Sequence, residues 1–138
     1  MEDEMETRAY HGTQYGGFDQ FSEEIQPDFG MFFTDDKQIA IGYADTRDDY
    51  DGQHEDEEFY PCIYDVKLHI ENPMIIDAQG AGWDDIDGFT SRDYALTAKQ
   101  HGYDGLIVKN VIDCGPFATS LTEATTYVVF NSNQIEIL

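Results

Sequence analysis

The apolar residues of this chain come in short runs, separated by glycine, proline and clusters of acidic residues. That spacing limits the chain to short strands and a few short helices. No run approaches the roughly 20 apolar residues of a membrane-spanning helix. At 138 residues with 41% apolar content, the chain suits a single domain over residues 1–138 with one core.

The runs can be placed in order. Thr7 to Gly12 reads as a first strand ending at a glycine. Gln14 to Gln26 carries Phe18, Phe21 and Ile25 at helical spacing, although Gly16-Gly17 predicts a loop entry. Met31 to Thr34 reads as a second strand, and Asp35 or Asp36 can cap a helix from Lys37 to Asp45. Ile39, Ala40 and Tyr43 fall on one face of that helix. From Asp45 to Glu58 there are eight acidic residues, one arginine and one glycine, so this stretch cannot build a core and reads as a surface loop. Calcium binding is a further reading of it, but the spacing departs from an EF-hand loop.

Strand character resumes from Tyr60 to Ile70, with Ile63, Val66, Leu68 and Ile70 facing inward around a bulge. Met74 to Ile76 is a short apolar run, and Gly80 to Gly88 is a turn region around Trp83. Thr90 or Ser91 can cap a helix through His101, with Gly102 just past its end. Leu106 to Val108 is a buried strand, Asn110 to Glu123 mostly loop, and Tyr127 to Phe130 a last apolar strand before the turn at Asn131 to Asn133. Short strands mixed with two or three helices, without regular strand–helix alternation, predict an α+β fold.

Charge narrows the partners. Acidic residues number 29 against 7 basic ones, a formal net charge of −22. Such a chain repels nucleic acid and anionic membrane, so neither is expected as a direct partner. It favours basic surfaces, including those of proteins that bind nucleic acid; excess charge also serves solubility or a saline habitat, and composition leaves these readings open. The acidic start, Met1 to Glu6, is unlike a signal peptide, and a cytoplasmic protein is expected. Cys62 and Cys114 are too few for a disulfide scaffold, though a single bridge stays open, and no Cys/His spacing suits a metal.

Three segments, taken in order, resemble the ADP-ribosyltransferase superfamily. They are Tyr10-His11-Gly12-Thr13; Gly30 through Asp35 to Ala40-Ile41-Gly42-Tyr43-Ala44; and Gly102-Tyr103-Asp104-Gly105-Leu106-Ile107-Val108 followed by Thr126 through Ile135. Tyr60-Pro61 to Asp77 is similar to the central strand and turn of such modules. The likeness is to the His-Tyr-Glu branch, and within it to short modules of phage and mobile-element polyvalent proteins. It runs from about residue 9 to residue 137.

The resemblance implies short mixed β-sheets around an NAD cleft, with NAD as the substrate and a protein as the acceptor. It implies that Tyr10, His11, Gly12, Thr13, Phe32, Phe33, Ala40 and Tyr43 bind the dinucleotide. His11 would hydrogen-bond an adenosine ribose hydroxyl, Gly12 would offer its backbone to the nicotinamide amide, and Thr13 would add a hydroxyl near the ribose. Tyr43 would stack on the nicotinamide ring. Phe32 stands where the branch has its other tyrosine, and Ala40 where several members have a serine. The branch glutamate falls at Thr126, which cannot carry negative charge; Glu123 and Asp113 are nearby carboxylates that could substitute, while Gln134 belongs to the Asn-Gln-Ile ending. Two functions follow. One is mono-ADP-ribosylation of a host protein, such as a defence protein, by a phage or mobile-element enzyme in the host cytoplasm. The other is an impaired transferase fold that inhibits a basic, nucleic-acid-binding partner through its acidic surface, as an anti-defence or anti-CRISPR protein would.

Overall fold

The computed structural model describes residues 5–13, 30–44, 62–83, 85–112 and 123–138. The expected helix from Gln14 to Gln26, the acidic stretch from Asp45 to Glu58, Asp113 and Cys114 lie outside them. Seven strands are described: β1 (Met5–Thr13), β2 (Met31–Thr34), β3 (Cys62–Ile70), β4 (Pro73–Asp77), β5 (Gly105–Ile112), β6 (Glu123–Val129) and β7 (Ile135–Ile137). Two α-helices accompany them, α1 (Lys37–Ala44) and α2 (Ser91–Gln100). No described helix is long and apolar enough to cross a membrane.

The strands form one sheet in the order β4-β5-β6-β2-β1-β3-β7. Only β4 and β5 are parallel, because α2 carries the chain back between them. This corrects the expectation of several short sheets. The reason for a single sheet is β2, which reaches both halves. Along β6 it makes four residue pairs, yet with β1 it makes the single pair Tyr10↔Thr34. Beyond Asp35 the chain turns into α1, with the Asp36 carboxylate accepting from Gln38 N at 2.9 Å, so β2 cannot lengthen. The two halves therefore meet at a thin seam.

Alternation along the strands sorts side chains onto two faces. On one face, Leu106, Val108, Val111 and Val128 pack under Ala95 and Ala98 of α2. Two alanines three residues apart let the helix approach closely. A capping box holds its start, with Thr90 Oγ1 accepting from Asp93 N and Asp93 accepting from Thr90 N. Gly102 ends it at φ +84°. Burying each large aliphatic side chain contributes about 1.5–3 kcal/mol. On the other face Ala9, Met31, Phe33, Val66, Leu68, Ile70 and Val129 form a second cluster. Helix α1 shares the α2 face: Lys37 Nζ lies 5.9 Å from the ring centre of Tyr10, which pairs with Thr34.

The bulge expected in β3 is absent. β1 and β3 pair without a slip over nine residues, so Tyr64 takes the inward position before Val66, and Ile63 lies on the opposite face. The irregularity is in β5 instead, between Val108 and Val111, where Asn110 adopts φ +56°.

Candidate functional site

His11 sits on β1 at the seam. Its cross-strand neighbour on β3 is Tyr64, and on β2 its ring lies 5.5 Å from that of Phe33, tilted by 55°. Phe33 pairs in turn with Tyr127 of β6, and Tyr127 with Ile107 of β5. Tyr64, His11, Phe33, Tyr127 and Ile107 thus make one row across five strands, on the face opposite the helices.

The imidazole fastens that row to β2. Nδ1 lies 2.9 Å from the carbonyl oxygen of Phe32. A carbonyl only accepts, so Nδ1 carries the proton and donates, and Nε2 of the neutral ring is an acceptor. The ring is densely surrounded, although the residue keeps some accessible surface. Burial pushes its pKa below the ordinary histidine value, and the Phe32 carbonyl opposes that push in part. A neutral imidazole with a lone pair on Nε2 can accept a hydrogen bond from a hydroxyl, as a ribose would offer.

The structure separates some residues that the sequence grouped. Tyr10 and Gly12 lie on the helix side of β1. A Cβ at Gly12 would fall on the carbonyl of Ala40, so glycine here lets α1 pack directly on β1. Gly12 and Ala40 are brought together, in direct contact. Ala40 is buried, leaving no side chain for a ligand to meet. Phe32 was expected to wall the same cleft as His11. Its ring instead packs against the α2-side cluster, because alternation sends Phe32 and Phe33 to opposite faces, and only its carbonyl reaches His11. Thr13 ends β1 and Tyr43 is on the last turn of α1; the side chains of both lie outside the described residues.

Thr126, at the position of the expected acid, is 3% exposed and pairs with buried Thr34 on one side and Val108 on the other. Its side chain belongs to the helix-covered layer, away from the His11 row. Glu123, the other acid considered, lies apart from it. It is exposed at the start of β6, about 10 Å from Thr126 along the strand and on the other face, with its carboxylate near Gly80.

Sequence reasoning missed Tyr64, Tyr127 and Asp35. Asp35 and Asp36 were both read as candidate helix caps, and Asp36 has that role. Asp35 extends the β2–β6 ladder instead: its N–H donates to Thr125 O at 3.1 Å, and its Oδ1 accepts from Thr125 N at 2.9 Å. The phenol of half-buried Tyr127 is pushed above its ordinary pKa, first by burial and then by the negative charge of Asp35. Strict alternation from Phe33 to Asp35 and from Thr125 to Tyr127 was the available signal, but the pairing of β2 with β6 was needed to use it.

Gln134 also has a different place. It is buried among four hydrogen bonds: Oε1 accepts from Phe130 N and Asn131 N at 3.1 and 3.0 Å, and Nε2 donates to His69 O and Asp104 O at 3.1 and 2.8 Å. Nearby, the Asp104 carboxylate accepts from Glu71 N and Asn72 N at 2.7 and 2.8 Å. An open cavity of about 330 Å³ is lined by His69, Glu71, Asp104 and Asn133, among others. It lies near the far end of β3, some five residues (about 17 Å) beyond Tyr64, and does not include His11. Among the described residues, no group of three or more His, Cys, Asp or Glu is placed to hold a metal.

A family model described as ADP-ribosyltransferase in polyvalent proteins matches residues 5–137. No curated protein matches the chain at a significant level. The matched span contains every strand and helix described above.

Proposed function

Because the chain belongs to the family of ADP-ribosyltransferases in polyvalent proteins, we propose that it transfers ADP-ribose from NAD to a protein side chain. The observation that carries this reading is the His11 imidazole, held neutral at the seam with Nε2 as an acceptor. Such a ring can receive a ribose hydroxyl and fix the dinucleotide against the row that runs through Phe33 and Tyr127. Orientation matters here because the reaction breaks the bond between nicotinamide and ribose, with positive charge developing on the sugar as in glycoside hydrolysis. The nicotinamide role of Tyr43 rests on the family resemblance alone, since α1 packs on the other face of the sheet and the Tyr43 side chain lies outside the described residues.

The target is a host protein with a basic surface, and the enzyme acts for a phage or mobile element in the host cytoplasm. The net charge of −22 supports a basic target, since opposite charge speeds encounter. Incubation with labelled NAD and host lysate tests the reading. Wild type should label protein or release nicotinamide, and His11→Ala should do so on the order of a hundredfold more slowly. Wild type and His11→Ala equally inert towards NAD would reject it.

One observation favours a second reading. Thr126 is buried and uncharged where the family resemblance calls for an acid. A chain that lacked any substitute carboxylate would act as an acidic binder that occupies a basic, nucleic-acid-binding partner. Its capture of that partner would then weaken steeply as salt rises, whether or not NAD is present.

A further inference from the structure

The ribosyl cation needs a negative charge, and position 126 does not supply one. The seam does. Asp35 follows Thr34 on β2, one step along the β2–β6 ladder from the Thr34↔Thr126 pair. By alternation it falls on the Phe33 side, the face that holds His11 and Tyr127. Thr125 N fixes one carboxylate oxygen at 2.9 Å, which orients the group and leaves the second oxygen for another partner. The residue is exposed, so a ligand can reach it. Its charge is felt at the neighbouring Tyr127 phenol. The other described candidate, Glu123, lies on the same face but about 10 Å from position 126 along β6. Asp36 spends its carboxylate on the start of α1.

We propose that Asp35 is the carboxylate that stabilises the ribosyl cation in this chain, in place of the residue at position 126. The inference rests on the NAD-transfer reading above. In the step, the bond from ribose C1′ to the nicotinamide nitrogen breaks, and its electron pair leaves with nicotinamide. A lone pair on the acceptor side chain, or on water, forms the new bond to C1′, and the acceptor's proton passes to the Asp35 carboxylate. Charge on Asp35 lowers the barrier before the new bond has formed.

Asp35→Asn tests the charge alone, because the amide oxygen can still accept from Thr125 N. NAD binding by calorimetry and turnover by nicotinamide release are measured on the full chain, with thermal melting as the check on folding. Asp35→Asn should bind NAD within about threefold of wild type, melt near the wild-type temperature, and turn over on the order of a hundredfold more slowly. Asp35→Glu should recover part of the loss. Asp87→Asn, which removes the same charge from an exposed turn, should match wild type. Wild-type turnover in Asp35→Asn overturns the inference and leaves the transferase reading standing. A wild type that binds and cleaves no NAD overturns both. If Asp35→Asn melts early, Asp35→Glu decides: a folded variant as slow as Asp35→Asn shows that Asp35 holds the ladder and supplies no charge to the reaction.

Discussion

The two ends of β3 use polar residues in opposite ways. At its C-terminal end, Gln134 and Asp104 are consumed by the backbone: between them they bind six main-chain groups from four segments. Opposite its N-terminal half, the His11 ring meets the carbonyl of Phe32 and the ring of Phe33 across a seam that has a single residue pair between β1 and β2. The first region is over-determined and the second is held loosely. Saturated polar groups of this kind keep strands in register. The motif residues that gave away the family are thus of two kinds. Gln134, Asp104 and Gly105 preserve the fold, a Cβ at Gly105 falling 2.8 Å from Val128 O. His11 and its row carry the chemistry in the reading proposed above.

The largest test of this contrast is Gln134→Ala. It leaves two N–H groups, that of Phe130 buried, and two carbonyls short of a partner, and should cost about 3 kcal/mol or more of unfolding free energy in urea denaturation. Below its melting transition the variant should keep wild-type NAD turnover per folded molecule. A folded variant with collapsed turnover would break the division into a structural end and a chemical end.

That division also explains what the sequence disclosed. β2, α1 and α2 were legible because their signals are local: a four-residue apolar run, an Asx cap, and Thr90 with Asp93 three residues on. The order of the fold's motifs was legible for the same reason. The seam was not, since it depends on β2 lying between β1 and β6, partners some twenty and some ninety residues away in the chain. Without that placement, Phe32 and Phe33 could not be assigned to faces, the layer of Thr126 could not be told, and Asp35 was indistinguishable from the cap beside it. Gln134 was legible only as part of the Asn-Gln-Ile ending, because two of its four partners, the carbonyls of His69 and Asp104, come from segments distant in sequence.

A smaller effect, at the seam itself, comes from pH. Folded His11 has a depressed pKa, while in the unfolded chain it titrates near 6.5. As pH falls below 6.5 the unfolded state takes up a proton that the folded ring refuses, so stability is full above that pH and declines beneath it. The decline continues until the folded value is reached, at no more than about 1.4 kcal/mol per pH unit from this one group. His11→Gln can still donate to Phe32 O and does not titrate. The difference in unfolding free energy between the two proteins, measured from pH 7.5 to 5, should therefore move in favour of the variant as pH drops. A flat difference would mean that the ring is solvated, and the seam more open than its hydrogen bond implies.

The smallest expected effect is at Thr126, and it discriminates most finely. If its hydroxyl served the reaction, Thr126→Val would slow turnover by tenfold or more. Here Thr126 lies in the layer with Thr34 and Val108, 3% exposed, on the face away from His11. Replacing it with valine keeps the branched shape and should change stability by about 1 kcal/mol or less in either direction. Turnover should stay within about threefold of wild type, the small change expected of a residue outside the reacting row. Thr126→Glu, by contrast, forces a charge into that layer and should destabilise the fold by several kcal/mol without raising turnover. A gain of turnover in Thr126→Glu would put the missing acid at position 126 after all, and would move the reacting face of the sheet to the side that carries the helices.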